Sequence, residues 1–137
     1  MAAMNITLSH CSITVHDQDK ALAFYRDALG LEVRNDIDLE GMRWLTVGPP
    51  SQPDIEIILE TPDVRPPTDQ EAIRALLAKG SLTGLLFLTD NCDATFEKVR
   101  ASGAEVLQEP IDQPYGIRDC AFRDPSGSMV RIGERRG

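Results

Sequence analysis

Residues 9–33, SHCSITVHDQDKALAFYRDALGLEV, change their hydrophobic period partway along the stretch. In the first part apolar and polar side chains alternate, which predicts a half-buried strand over residues 8–15. After it the apolar residues recur at helical spacing, with Asp17 or Asp19 as the N-cap and Gly30 at the C-terminal end. The stretch therefore predicts a strand, a helix and the approach to a second strand.

Three further strands are predicted in the first half of the chain. They are bounded by turn residues and are rich in branched and aromatic side chains. Their sequences are LEVRND (31–36), MRWLTVG (42–48) and DIEIILE (54–60). The predicted order of the first half is βαβββ.

The second half repeats this order. Its predicted elements are LTGLLFLTD (82–90), a helix DATFEKVRASG (93–103), AEVLQEP (104–110), GIRDCAFRDPSG (116–127) and SMVRIGE (128–134). The offset is nearly constant, since Gly30 and Gly103 are 73 positions apart and Glu56 and Arg131 are 75 apart. A repeat with so few gaps indicates two copies of one supersecondary unit.

We therefore predict a single domain over residues 1–137, made of module one (6–61), a connector (62–80) and module two (81–134). Each module alone is too small to bury its own sheet and helix, so the two are expected to share a core. The connector carries a predicted short helix that begins with the capping box Thr68-x-x-Glu71.

Composition limits the classes of partner. The net charge of −8 disfavours nucleic acid and anionic membranes, and no apolar run approaches the roughly 20 residues of a spanning helix. The three cysteines form no CxxC pair, which suits reduced thiols. The first residues show no export signal, so we expect a cytoplasmic protein with a small-molecule ligand and neither nucleic acid nor membrane as partner.

Strand alternation places a second set of side chains opposite the predicted core face. Five apolar side chains are expected to pack on the helices, namely Ile55, Ile57, Leu59, Val130 and Ile132. The opposite, concave face then carries His10, Ser12, Thr14, Glu56, Leu86 and Arg131. A concave face with polar side chains is a typical small-molecule cleft.

The motifs SHCSITVHDQDKALAFYRDALGLEV and PYGIRDCAFRDPSGSMVRI and the tandem βαβββ order resemble the vicinal-oxygen-chelate superfamily. This superfamily includes glyoxalase I, fosfomycin-resistance enzymes, extradiol dioxygenases and bleomycin-resistance proteins. The resemblance covers residues 6–134. It implies an α+β fold of two tandem βαβββ modules forming an open, incomplete barrel with a concave ligand cleft, usually in a homodimer.

The resemblance also implies a metal on the concave face in catalytic members, with one ligand from the first and one from the last strand of each module. Module one supplies His10 and Glu56, which suit Zn, Ni, Mn or Fe. In module two the matched positions hold Gly84 and Arg131, neither of which ligates a cation. We therefore expect no cofactor, with a divalent metal as the alternative.

Arg131 and His10 each have several interpretations. Arg131 pairs with Glu56 in place of a metal, points at an anionic group of the ligand, or faces solvent. His10 is either a hydrogen-bonded structural residue or a catalytic base oriented by Glu56.

Further candidate ligand-binding residues lie near this face. Trp44 and Tyr115 occupy similar places in the two modules and can either stack on a planar ligand or pack in the core. The full set of candidate ligand-binding residues is Ser12, Trp44, Leu86, Tyr115, Arg118 and Arg131.

Two functions from different classes remain. One is a small-molecule-binding protein with a degenerate metal site that sequesters a planar or cationic compound, as bleomycin-resistance proteins do. The other is a metal-dependent lyase, isomerase or dioxygenase of the glyoxalase type, using His10 and Glu56. The residues at positions 84 and 131 favour the first function.

Overall fold

The computed structural model describes residues 4–136. Its elements follow one another as β1 (His10–Thr14), α1 (Gln18–Leu22), a π-helical continuation (Ala23–Ala28), β2 (Glu32–Leu39), β3 (Met42–Gly48), β4 (Glu56–Glu60), a 3₁₀ turn (Pro62–Val64), α2 (Pro67–Ala78), β5 (Leu85–Leu88), α3 (Cys92–Ala101), β6 (Glu105–Asp112), β7 (Ile117–Arg123) and β8 (Met129–Arg135).

The eight strands form two four-stranded sheets with the same topology. Their orders are β1-β4-β3-β2 and β5-β8-β7-β6. In each sheet the first and last strands of a module pair in parallel, and the other neighbours pair antiparallel. The structure confirms the predicted α+β fold of two βαβββ modules, and no closed barrel forms in the described part of the chain.

The ends of the two module helices follow the local sequence. Asp17 caps α1 by accepting a hydrogen bond from the amide of Lys20 at 3.0 Å. Gly30 and Gly103 end the helical segments with φ of +79° and +95°, a left-handed conformation that glycine adopts without strain. Of the two predicted N-caps Asp17 is confirmed, while Asp19 lies in the first turn of α1, and both predicted helix ends are confirmed.

The connector helix α2 begins differently from the prediction. It starts at Pro67, one residue before Thr68, and its N-cap residue Pro66 offers no side-chain hydrogen bond. The predicted capping box at Thr68 and Glu71 is therefore wrong. Proline is favoured in the first turn because its fixed φ suits a helix and its missing N–H is not needed there.

Both modules contribute to one hydrophobic core. Ile57, Leu59, Val130 and Ile132 are buried, as alternation predicts, whereas Ile55 lies just before β4 and is only half-buried. Cys92 and Cys120 are also buried, and burial raises the pKa of the Cys120 thiol to about 12. No helix in the described residues is long and apolar enough to cross a membrane.

A buried hydrogen bond joins the modules through this core. The hydroxyl of Tyr25 in the π-helical segment donates to Asp124 Oδ2 at 2.6 Å. The other oxygen of Asp124 accepts from the amides of Ser126, Gly127 and Ser128, which closes the turn before β8. The contact holds the helical segment of module one against the last hairpin of module two.

Candidate functional site

His10 and Glu56 lie side by side on the concave face of the first sheet. The parallel register of β1 and β4 places them directly opposite each other. His10 Nε2 is 3.3 Å from Glu56 Oε2, and the side chains are 41% and 24% exposed. The predicted juxtaposition of these two residues is therefore present.

Two neighbouring strands hold the Glu56 carboxylate in place. Thr46 Oγ1 and Asn35 Nδ2 donate hydrogen bonds to Glu56 Oε1 at 2.6 and 2.7 Å. The Thr46 bond, the Asn35 bond and the nearby His10 hold the pKa of Glu56 below its usual value, against the opposing effect of desolvation. Glu56 is therefore a fixed, ionised acceptor at neutral pH.

The His10 ring is engaged through both nitrogens. Nδ1 lies 2.8 Å from Ser9 Oγ, while Nε2 faces Glu56. The ring centroid is 6.3 Å from that of Trp44. Both nitrogens of the His10 ring therefore contact protein groups.

An open cavity of about 630 Å³ adjoins this polar group at the outer end of the sheet. Half-buried Trp44 and Ile58 form part of its lining, together with Asp38 and Glu60. Ser12 stands opposite Ile58 in the register and is exposed on the same face. We call the concave face of the first sheet, which carries His10, Ser12, Trp44 and Glu56, the first wall. Trp44 and Ser12 are thus accessible to a ligand on the first wall.

The second sheet presents Leu86 and Arg131 at the positions that His10 and Glu56 occupy in the first. Leu86 pairs with Arg131 across β5 and β8, as His10 pairs with Glu56 across β1 and β4. The expectation that Gly84 matches His10 is wrong, because β5 begins at Leu85 and the strand ends do not align between modules.

Gly84 has a steric role just before β5. A Cβ at this position would lie 1.7 Å from the backbone oxygen of Met129. The two chains approach too closely here for any side chain. No ligand residue fits at position 84 with this backbone.

Arg131 pairs with Asp119 in its own sheet. Its Nη1 is 3.3 Å from Asp119 Oδ1 and donates to Gln108 Oε1 at 3.0 Å. The expectation of a pair between Arg131 and Glu56 is therefore wrong. Asp119 is the closer partner because β7 lies next to β8 and antiparallel alternation puts both side chains on the concave face.

Asp119 is a buried carboxylate with several donors. It is 2% exposed and accepts from Gln108 Nε2 at 2.8 Å, Gln113 Nε2 at 2.9 Å and the Tyr115 hydroxyl at 3.2 Å. Burial acts to raise the pKa of Asp119, but the bonds from Gln113 and Gln108 and the charge of Arg131 outweigh it and lower the pKa. The ionised form of Asp119 is therefore the stable one.

Tyr115 and Arg118 lie in different environments. Tyr115 is 64% exposed and lines a cavity of about 140 Å³ together with Leu86 and Arg131. Arg118 instead binds Asp93 at the start of α3, at 2.9 Å, on the helix-facing side of the sheet. Arg118, a predicted ligand-binding residue, alternates with the concave residues Ile117 and Asp119 along β7 and therefore lies away from the concave face.

The donor set does not fit a resident metal. His10 and Glu56 are two ligands of suitable type, but one oxygen of Glu56 is already taken by Asn35 and Thr46. The concave face of the second sheet, which we call the second wall, offers Leu86 and Arg131, and neither side chain ligates a cation. Among the described residues, no group of three or more His, Cys, Asp or Glu side chains could hold a metal ion.

Several residues of these networks were missed by sequence reasoning. The charges of Glu56 and Arg131 are held by four residues that were not predicted. These are Asn35 and Thr46 at Glu56, and Gln108 and Asp119 at Arg131. Alternation contained the signal for Asp119, since it lies between the buried-face residues Arg118 and Cys120. The long-range strand register that joins Asn35 and Thr46 to Glu56 left no local signal.

Comparison with known proteins agrees with this architecture. The family model described as the glyoxalase/bleomycin resistance protein/dioxygenase superfamily matches residues 7–132. The uncharacterised protein YurT of Bacillus subtilis is 27% identical over 125 residues, which cover 90% of this chain and 95% of YurT.

Two solved structures are similar over nearly their whole length. UcmS2 is 38% identical with a TM-score of 0.88, covering 95% of this chain and 98% of UcmS2. TnmS3, an antibiotic binding protein from a Streptomyces species, is 30% identical with a TM-score of 0.77, covering 97% and 99%. Fold, site and comparisons lead to one conclusion: the chain belongs to the glyoxalase/bleomycin resistance protein/dioxygenase superfamily.

Proposed function

We propose that this protein binds and sequesters a planar, cationic small molecule without a metal. The observation that carries the proposal is the register of the second sheet, which places Leu86 and Arg131 where the first sheet has His10 and Glu56. An apolar side chain and a cation there favour contact with an organic ligand over coordination of a metal.

The first wall has the chemistry that a planar ring needs. Trp44 shares its face with Ile37, Leu39 and Met42, which are each at least 40% exposed. An indole with apolar neighbours stacks on a flat ring and removes its surface from water. This wall supplies the contact area of the proposed complex.

The charge of the first wall favours a cation. Asp38, Glu60 and Asp63 line its cavity against one basic residue, Arg43, which is itself bound to Asp19 and Asp36. Glu56 adds an ionised carboxylate on the same face, and the net charge of the chain is −8. A cationic ring is attracted both by these carboxylates and by the indole face.

The two walls require a second copy to form one cleft. The cavity at Trp44 is lined only by residues before the connector helix, and the cavity at Arg131 only by residues of module two. We propose a homodimer in which the first wall of one protomer faces the second wall of its partner. The similarity to TnmS3, an antibiotic binding protein, supports a small organic ligand in such a cleft.

Sequestration requires affinity but no complementarity to a transition state. His10 is held between Ser9 and Glu56, so the proposal assigns it a wall role rather than proton transfer. The buried thiols Cys92 and Cys120 suit a reducing compartment, so the proposal includes a cytoplasmic location.

A metal-dependent lyase, isomerase or dioxygenase is the second candidate. The observation that favours it is the 3.3 Å contact between His10 and Glu56, two groups of metal-binding type on one open face. The second wall argues against this candidate, because Leu86 and Arg131 add no side chain that could coordinate a metal. This candidate needs a further donor from substrate, water or partner subunit.

The proposal is tested by titration with two dyes that share one ring system. We expect 9-aminoacridine, a planar cation, to quench the fluorescence of Trp44, the only tryptophan, and acridine-9-carboxylate to bind at least about tenfold more weakly. Calorimetry of Trp44→Leu should show affinity for the cation reduced by about tenfold or more. Arg118→Lys on the opposite face is the matched control and should bind as the wild type does.

Three results would overturn the proposal. They are equal affinity for the two dyes, unchanged affinity in Trp44→Leu, and chemical conversion of the bound compound. Recovery of intact 9-aminoacridine after prolonged incubation supports sequestration.

A further inference from the structure

The side chain of Gln18 joins two strands at the outer end of the first sheet. The pairing of β3 with β4 ends at Thr46 and Ile58. Beyond these residues Gln18 Nε2 donates to one backbone oxygen on each strand, that of Arg43 at 3.1 Å and that of Leu59 at 2.8 Å. Gln18 therefore bridges the two strands where their pairing stops, at the edge of the 630 Å³ cavity that it lines.

These two bonds fix the orientation of the Gln18 amide. Both groups that face it are carbonyl oxygens, so the donor Nε2 has to point toward the strands and Oε1 away from them. Oε1 has no hydrogen-bond partner among the described residues. It is also not among the buried atoms without a partner in that part of the chain, which are Arg34 Nε and Ser128 Oγ. Oε1 is therefore an accessible acceptor in a fixed position.

Other free polar atoms of this cavity are acceptors as well. The carboxylates of Asp38 and Glu60 belong to the same lining. Glu60 Oε1 accepts from Arg65 at 2.7 Å, which leaves Glu60 Oε2 for another donor. The Asp38 carboxylate has no ion pair or side-chain hydrogen bond in the part of the chain that the structure describes. Three acceptors that lack a donor thus border one cavity.

The side-chain donors of the lining are nearly all in use. Each nitrogen of the Arg43 guanidinium is bonded to a carboxylate of Asp19 or Asp36. The Thr61 hydroxyl donates to a neighbouring carboxylate at 3.3 Å. Among the described residues of the lining, this leaves the indole N–H of Trp44 as the unpaired side-chain donor. A ligand that removes these acceptors from water therefore has to supply hydrogen atoms of its own.

We propose that Gln18 is a specificity-determining residue that selects a planar cation with N–H donors at its charged edge over an equally planar cation without them. The inference rests on the proposed function, because it concerns the same cavity. An N–H of the ligand donates to Gln18 Oε1 while the ring lies on Trp44. A quaternised ring has the same charge and stacks in the same way, but it leaves Oε1 dehydrated and unpaired.

The test compares 9-aminoacridine with 10-methylacridinium by calorimetry. Both are planar monocations of one ring system at neutral pH, and only 9-aminoacridine carries N–H donors. We expect the wild type to bind 9-aminoacridine at least about fivefold more tightly. Equal affinity for the two dyes would overturn this inference and leave the proposed function standing. A protein that binds neither dye would overturn both.

Two substitutions separate the acceptor of Gln18 from its bridging role. Gln18→Met removes both, whereas Gln18→Lys keeps N–H donors for the two strand oxygens and removes the acceptor. In each variant the preference for 9-aminoacridine over 10-methylacridinium should fall by at least about threefold. A change in cavity shape or net charge alters both affinities together, so the ratio reports the acceptor. An unchanged ratio in both variants would show that Gln18 does not select the ligand.

Gln70 offers a matched control. Its Nε2 also bridges two backbone oxygens, those of Arg65 at 2.9 Å and Asp63 at 3.5 Å, but Gln70 lies outside the cavity lining. Gln70→Met should keep the ratio of the two affinities within about twofold of the wild-type ratio. A loss as large as that in Gln18→Met would mean that the ratio does not report the Gln18 acceptor, which overturns the inference.

The fixed amide can also be measured without any ligand. Hydrogen exchange of the Gln18 side-chain amide, followed by NMR, should be slower than that of the exposed Gln52, because both Nε2 hydrogens are bonded. Equal exchange rates of the two side chains would show that the Gln18 amide is not held in this orientation, and the inference would fail whatever the dyes do.

Discussion

Glu56 and Arg131 occupy equivalent positions in the two modules, and each is bound within its own sheet. Glu56 accepts from Thr46 and Asn35 and faces His10, whereas Arg131 pairs with Asp119 at 3.3 Å. The two charges are therefore stabilised separately. Each module presents a preformed wall whose central charge does not depend on the other.

The Asp119 network should contribute to stability at neutral pH. The substitution Asp119→Asn leaves Arg131 without its anion in a half-buried site, and we expect a loss of about 2 kcal/mol in the free energy of unfolding at pH 7. Urea unfolding measures this loss. Glu97→Gln, at an exposed pair with Arg100 on α3, is the control and should change stability by less than about 0.5 kcal/mol.

The same carboxylate predicts a pH dependence of stability. Folding lowers the pKa of Asp119 below its usual 3.8, so its stabilisation is complete above that pH and is lost as the pH falls through the lower folded-state pKa. In Asp119→Asn the free energy of unfolding should therefore fall less steeply below pH 3.8 than in wild type. Identical slopes in acid would contradict this role.

The pKa of Glu56 should depend on its two donors. In Thr46→Val and in Asn35→Ala one hydrogen bond to the ionised form is lost, so the pKa of Glu56 should rise toward its usual 4.5. Carboxyl chemical shifts in an NMR titration measure it. Thr95→Val, which breaks the distant bond to Thr89, should leave it unchanged. A lowered pKa in either first-wall variant would show that the donors do not stabilise the anion.

The bond between Tyr25 and Asp124 should stabilise the contact between modules. Tyr25→Phe removes a buried 2.6 Å hydrogen bond and should cost about 1 to 3 kcal/mol in the free energy of unfolding. A double-mutant cycle with Asp124→Asn supplies the control, because the two losses should be less than additive if one bond is shared. Additive effects would indicate that the contact carries no coupling.

Glu56 should contribute to cation binding through charge. Glu56→Gln keeps the shape of the side chain and removes its charge, so the affinity for 9-aminoacridine should fall by about threefold to tenfold. Acridine-9-carboxylate should bind the variant at least as well as it binds wild type. Calorimetry of both dyes measures the two effects, and an equal loss for both would point to a change of shape instead.

Local periodicity was sufficient to predict the modular fold. The change of period after residue 15, the cap at Asp17 and the glycines at 30 and 103 each depend on neighbouring residues and were all found in the structure. β3 matches its predicted bounds of Met42–Gly48. The start of α2 was displaced because Pro67 competes with Thr68 for the first turn.

The contacts between the site residues depend on the register of strand pairing. A single sequence specifies this register less well than it specifies the helices and strands themselves. Matching strand ends placed Gly84 opposite Arg131, but the pairing of β5 with β8 puts Leu86 there. The ion-pair partner of Arg131 is likewise set by the order of strands in the sheet. Arg131 pairs with Asp119 on the adjacent β7 and not with Glu56 of the other module. Arg118 was predicted to contact the ligand, whereas alternation along β7 points its side chain toward α3.

The most direct test of the account is the metal content of protein purified without chelators, measured by elemental mass spectrometry for wild type and His10→Ala. We predict far less than one Zn, Ni, Mn or Fe per chain in both, with 9-aminoacridine bound by the metal-poor wild type. One metal ion per chain in wild type that is absent from His10→Ala would contradict it.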